Sequence, residues 1–229
     1  MGLASTKLPA KPFLDPYTKE ILLGQGEPLL SQAKNPLLQP VQKAFDQMAI
    51  AAQKENITLK VVSGYRSFDR QTFIWNRKYN ANALAGLTPM ENIQKIITYS
   101  TIPGTSRHHW GTEIDIIDAE PKAEGDVLVA EKFDRNGPYA TLFEWMQKNA
   151  AAYGFILPYT KDSNRKGFAY EPWHYSYAPI AIPMLKTYLK LDLKVVLKAS
   201  KVEGSMYFNY KFINSYIEEN IKGINSKLL

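Results

Sequence analysis

The sequence predicts a mixed helix-and-strand fold built as one domain with small extensions, and three observations predict it. A chain of 229 residues is long enough to bury a full core. Its composition, 45% hydrophobic and 22% charged, is that of an ordinary globular protein and excludes a largely disordered or fibrous chain. Stretches with apolar residues at helical intervals are interleaved with short β-branched runs.

Taken in order, residues 1–12 are small, polar and interrupted by proline, and are expected to form a flexible tail. From Pro36 to Asn56, Leu38, Val41, Phe45, Met48, Ile50 and Ala52 recur at roughly helical spacing among Lys43, Gln47 and Lys54, which predicts an amphipathic helix. Thr58 to Val62 is short and β-branched and ends at Ser63-Gly64, as a buried strand followed by a turn would. Ser67 is expected to cap a second helix through about Asn80, and a third is expected from Pro89 to Thr98. After the turn signal Pro103-Gly104, Thr112 to Ile117 has strand character, and alternation puts Glu113 and Asp115 on one face. A helix from about Tyr139 to Tyr153 is closed by Gly154, and Phe155 to Leu157 is the next strand. Ala169 to Tyr177 reads as extended, and Ile182 to Leu191 as a helix. The domain is therefore expected to occupy residues 13–191, with 192–229 a helical extension packed on it; its helix, near Phe208 to Ile221, would end at Gly223.

Composition also narrows the chemistry. Lys and Arg (28) exceed Asp and Glu (22), a net charge of +6, but the cations are scattered, so no nucleic-acid partner is expected. With no cysteine, thiolate metal sites, thiol nucleophiles and disulfides are excluded, and any metal must use His, Asp or Glu. No apolar run approaches a membrane span, and Met1 to Lys7 lacks the apolar segment of an export signal.

The three histidines all lie in two short segments that also carry acidic residues and tryptophan. His108, Asp115 and His174 together supply the two imidazoles and one carboxylate of an open catalytic zinc site. Gly111 lets the backbone turn between His108 in a loop and Asp115 on the following strand, so one stretch supplies two ligands and His174 closes the set from another element.

Ser63-Gly64-Tyr65-Arg66-Ser67, the stretch Ser106 to Asp115 and Glu171-Pro172-Trp173-His174 resemble, in the same order, three signatures of the D-alanyl-D-alanine carboxypeptidases of the vancomycin-resistance type. The central one reads Ser, any residue, His, any two, Gly, any residue, a usually small residue, any residue, Asp. The resemblance spans about Val61 to Tyr177 and implies an α+β fold, with a small antiparallel sheet carrying the zinc site and flanked by helices, as in hedgehog-type domains and phage endolysin peptidases. It implies one zinc on His108, Asp115 and His174, with Glu171 the general base that takes a proton from the attacking water and delivers it to the leaving amine. Arg66 would stabilise the oxyanion, and Ser106 and Gln71 would contact the substrate, a peptidoglycan stem peptide that loses a terminal D-alanine. That substrate implies action in the periplasm or cell envelope, with an export signal outside this chain.

The sequence departs from the pattern at Glu113, where the family usually has a small residue. Sharing a face with Asp115, Glu113 has three readings: a hydrogen bond to a ligand histidine, a contact with a substrate amine, or a salt bridge at the sheet edge. His109 should point away from the metal if His108 points toward it. Endopeptidase and L,D-carboxypeptidase specificities could share every one of these residues, and a zinc-stabilised binding module without turnover is the reading that Glu171 and Arg66 oppose.

Overall fold

A computed structural model describes residues 17–229. The expected tail at 1–12 lies outside these residues. In chain order the elements are α1 (Lys19–Leu22), α2 (Gln39–Gln53), β1 (Leu59–Ser63), α3 (Phe68–Leu84), α4 (Pro89–Ile96), β2 (Glu113–Asp118), α5 (Ala140–Asn149), β3 (Phe155–Ile156), β4 (His174–Tyr177), α6 (Ala178–Tyr188), α7 (Leu193–Lys198) and α8 (Tyr210–Tyr216). The strands form one antiparallel sheet in the order β1-β2-β4-β3. This is the α+β architecture that the resemblance implied.

Local chemistry sets most boundaries. The Ser67 side chain accepts from the Arg70 N–H and starts α3, while Thr88 and Glu91 cap α4 reciprocally. After α5 the chain tightens into a 3₁₀ turn, Ala150–Tyr153, and stops at Gly154 in the left-handed region (φ 83°). The helix expected from Ile182 begins four residues earlier, at Ala178, directly after β4. Pro179 sits in its first turn, where a missing N–H costs nothing, and Pro183 lies inside it.

Alternation divides the sheet. Ile114, Ile116 and Tyr175 join Val41, Phe45 and Met48 of α2 and Leu142 and Trp145 of α5 in one apolar cluster. Glu113, Asp115, His174 and Ser176 occupy the alternate positions of β2 and β4, hence the other face. A second cluster joins Trp75, Ile93, Met184 and Tyr188 to Leu197, Phe208, Ile213 and Tyr216 of the C-terminal segment. That segment also bonds to the rest of the chain: the Trp75 indole donates to the Glu203 carbonyl (2.9 Å) and the Ile102 N–H to the Tyr216 hydroxyl (3.0 Å).

Candidate metal centre and cleft

The centre is assembled by sheet register. Asp115 on β2 pairs directly with His174 on β4 and with Ser63 at the end of β1. His108 comes from a 3₁₀ turn, Arg107–Trp110, that Gly111 ends in the left-handed region (φ 67°) so that β2 can begin two residues later. The ligand atoms that His108, Asp115 and His174 offer lie within 4.8 Å of one another, and all three residues are buried.

Hydrogen bonds fix which ring nitrogens face inward. His108 Nδ1 bonds to the Gly64 carbonyl (2.8 Å), leaving Nε2 directed at Asp115 (3.4 Å). His174 Nε2 bonds to Glu113 (2.9 Å), leaving Nδ1 toward Asp115 (3.5 Å) and Glu171 (2.9 Å). Asp115 Oδ1 is buried and accepts no hydrogen bond. Two imidazoles with one nitrogen each left inward, beside an unsatisfied carboxylate oxygen, suit a three-ligand zinc site with an open fourth position.

The electrostatics carry the imprint of packed opposite charges. Burial opposes the charged form of His174, but bonds to Glu113 and Glu171 prevail and raise its pKa to about 10. Burial likewise pushes the Asp115 and Glu113 carboxyls up, and their neighbours, the His108 ring for Asp115 and the Arg107 guanidinium for Glu113, prevail and bring both down to about 2. His109 turns away from the centre. Its Nδ1 donates to the Arg66 carbonyl (2.5 Å), its Nε2 accepts from the Gly104 N–H (3.1 Å), and burial drops its pKa to about 3, so it is a neutral strut.

The candidate ligands open into a cleft of about 550 Å³ that also bears Arg66, Ser106, Glu171, Tyr159 and Trp173. Arg66 is held by Ser63 Oγ (2.9 Å) and Gln71 Oε1 (3.0 Å), and its backbone N–H donates to the His108 carbonyl (3.0 Å). The Ser106 hydroxyl is buried and unpartnered on the cleft wall. Gln71 alone among the expected residues does not line the cleft: fully buried, it donates to the Thr101 carbonyl (2.8 Å) and stands behind Arg66. Sequence reading missed Arg107, whose Nη2 reaches Glu113 (3.3 Å) and Ser176 (2.6 Å), and Tyr159, whose ring meets His174 edge-on (5.0 Å). A carboxylate at an inward strand position requires a buried cation nearby, which was the available signal for Arg107.

Residues 34–180, more than half of the chain, match the family model described as VanY, D-alanyl-D-alanine carboxypeptidase. The chain belongs to this family. Among relatives, the bifunctional D-Ala-D-Ala dipeptidase and D-Ala-D-Ala carboxypeptidase VanXYC of Enterococcus gallinarum is 31% identical over 159 residues, 69% of this chain and 75% of the relative. The crystal structure of a mutant vancomycin-resistance D,D-pentapeptidase VanY in complex with Zn(II) aligns with this VanY-family chain at a TM-score of 0.55 and 25% identity, covering 72% of this chain and 86% of that one. The LD-carboxypeptidase LdcB aligns at a TM-score of 0.50 and 30% identity, over 64% of this chain and 62% of that one. Several further curated relatives are longer, and the alignments span about half of their length. Among the described residues, no helix is long and apolar enough to cross a membrane.

Proposed function

We propose that this chain is a zinc-dependent carboxypeptidase that removes a terminal D-alanine from peptidoglycan stem peptides in the periplasm or cell envelope. One observation carries the reading: Glu171 places a carboxylate oxygen 2.9 Å from His174 Nδ1 on the wall of the cleft that Arg66 also lines. A base and a fixed cation thus flank the candidate ligands, which a metal-stabilised binding module does not need.

Bound zinc supplies Lewis acidity, polarising the scissile carbonyl and making water a better nucleophile at neutral pH. Glu171 Oε2 takes a proton from the attacking water as its oxygen bonds to the carbonyl carbon. When the C–N bond breaks, the same carboxyl returns the proton to the leaving amine, yielding a shortened peptide carboxylate and free D-alanine. Arg66, braced by Ser63 and Gln71, faces the charge that develops on the carbonyl oxygen, and its bonds hold it before that charge appears. Ser106 offers its free hydroxyl to the peptide, and Gln71 serves by orienting Arg66.

Mass analysis of products from defined pentapeptide and tetrapeptide stems tests the proposal. Loss of one D-alanine from the pentapeptide is expected. Cleavage of the tetrapeptide alone would make the chain an L,D-carboxypeptidase, a dipeptide product or an internal cut would make it a dipeptidase or endopeptidase, and no cleavage by zinc-loaded protein would leave the binding module.

A further inference from the structure

Beside the candidate ligands lies a buried polar group, centred on the Glu113 carboxylate, that the proposed reaction does not itself use; its Arg107 also lines the cleft and keeps Nε and Nη1 unpartnered. Glu113 is fully buried on β2, opposite Ser176 of β4 in the sheet register. Its Oε1 accepts from Ser176 Oγ (2.7 Å), Thr112 Oγ1 (2.9 Å) and Arg107 Nη2 (3.3 Å), while its Oε2 faces His174 Nε2 at 2.9 Å. Arg107 bonds Ser176 as well (2.6 Å), and its guanidinium lies 4.8 Å from the Trp110 ring centroid. Every polar atom of Glu113 is therefore spoken for, with three donors locking one oxygen and the histidine on the other.

We propose that Arg107, Glu113, Thr112 and Ser176 form a positioning unit for His174, in which Glu113 accepts the Nε2–H and so presents Nδ1 to the metal. The inference rests on the zinc reading above and adds to it a task for residues outside the ligand set. An imidazole free to rotate offers either nitrogen in either direction, and a carboxylate on the far nitrogen removes that freedom and strengthens the donor. A carboxylate buried in this way needs a partner cation, and Arg107 supplies it from the same 3₁₀ turn that carries His108. The Arg107–Glu113 pair thus links the turn bearing one candidate ligand to the strand beside another. A buried carboxylate without its cation, or the reverse, is strongly destabilising, so the two residues should tolerate loss together better than singly.

The test compares parent, Glu113→Ala, Arg107→Leu and the double variant by zinc affinity in chelator competition and by thermal unfolding without metal. Both single variants should unfold at lower temperature than the double variant. Glu113→Ala and the double variant should each bind zinc about 10 to 100-fold more weakly than the parent, although all three candidate ligands remain. A double variant that binds zinc as tightly as the parent would overturn the inference and leave the group as packing only. A parent that binds no zinc would instead overturn the metal reading on which it rests.

Discussion

Replacing Glu171 by Gln isolates the base from the rest of the cleft. The side chain is buried, keeps its size and retains an oxygen able to face His174, but it loses the basic carboxylate that accepts and returns the proton. Glu171 is outside the set whose ligand atoms converge within 4.8 Å, so zinc content should match the parent and the unfolding temperature should change little. A general acid-base group contributes about 10² to 10⁴ in rate, which at about 1.4 kcal/mol per decade corresponds to roughly 3 to 5 kcal/mol of barrier. D-Alanine release from a saturating pentapeptide, followed by mass spectrometry over hours, resolves a loss of that size. Glu113→Gln is the control, because Gln at that position can still accept from the His174 Nε2–H, and its loss should be smaller. Near-normal turnover in zinc-loaded Glu171→Gln would refute the assignment of the base.

Three other outcomes are expected. His174→Ala should lose most of the zinc that the purified parent retains, and equal content by elemental analysis would remove His174 from the ligand set. Because the metal-free His174 pKa is raised to about 10, this histidine carries a proton at pH 7 that a metal must displace; zinc uptake should release about one proton per ion in calorimetry across buffers of different ionisation enthalpy, apparent affinity should rise with pH toward 10, and uptake without proton release would contradict this. Tyr216→Phe strands the buried Ile102 N–H, at a cost of about 1 to 3 kcal/mol, and should lower the melting temperature by several degrees in a thermal scan; an unchanged melting temperature would mean that this bond contributes nothing.

The centre was legible because its chemistry is dense and local. With no cysteine and three histidines, a metal reading had few ways to go wrong, and alternation along Thr112 to Ile117 already put Glu113 and Asp115 on one face. The sheet then added what alternation along one strand does not contain, the register that sets Asp115 against His174 and Glu113 against Ser176. Of the three readings open for Glu113, the hydrogen bond to a candidate ligand is the one its geometry makes, and the ion pair that accompanies it is buried at the centre instead of lying at the sheet edge. Gln71 was harder: its side chain is half amide donor and half acceptor, and only the packing of α3 against the loop at Thr101 decides that both halves are consumed internally.

The C-terminal segment shows where reading by segments fails. Its apolar helix was expected to pack on the domain, but apolar periodicity is silent about single polar atoms. Tyr216, at the end of α8, accepts from the Ile102 N–H and meets the Thr105 hydroxyl at 2.8 Å, while Thr105 donates to the Ile102 carbonyl (2.7 Å). Those bonds hold the stretch that runs directly into Ser106 and the His108 turn, and the Tyr188 hydroxyl of α6 fixes the Gly104 carbonyl of the same stretch at 2.8 Å. A loop with few neighbours of its own is ordinarily the least stable part of a fold, and a ligand on such a loop would lose precision. Here the loop preceding His108 is clamped from two helices that follow the last candidate ligand in the chain, so the geometry of the centre depends on residues that make no contact with it.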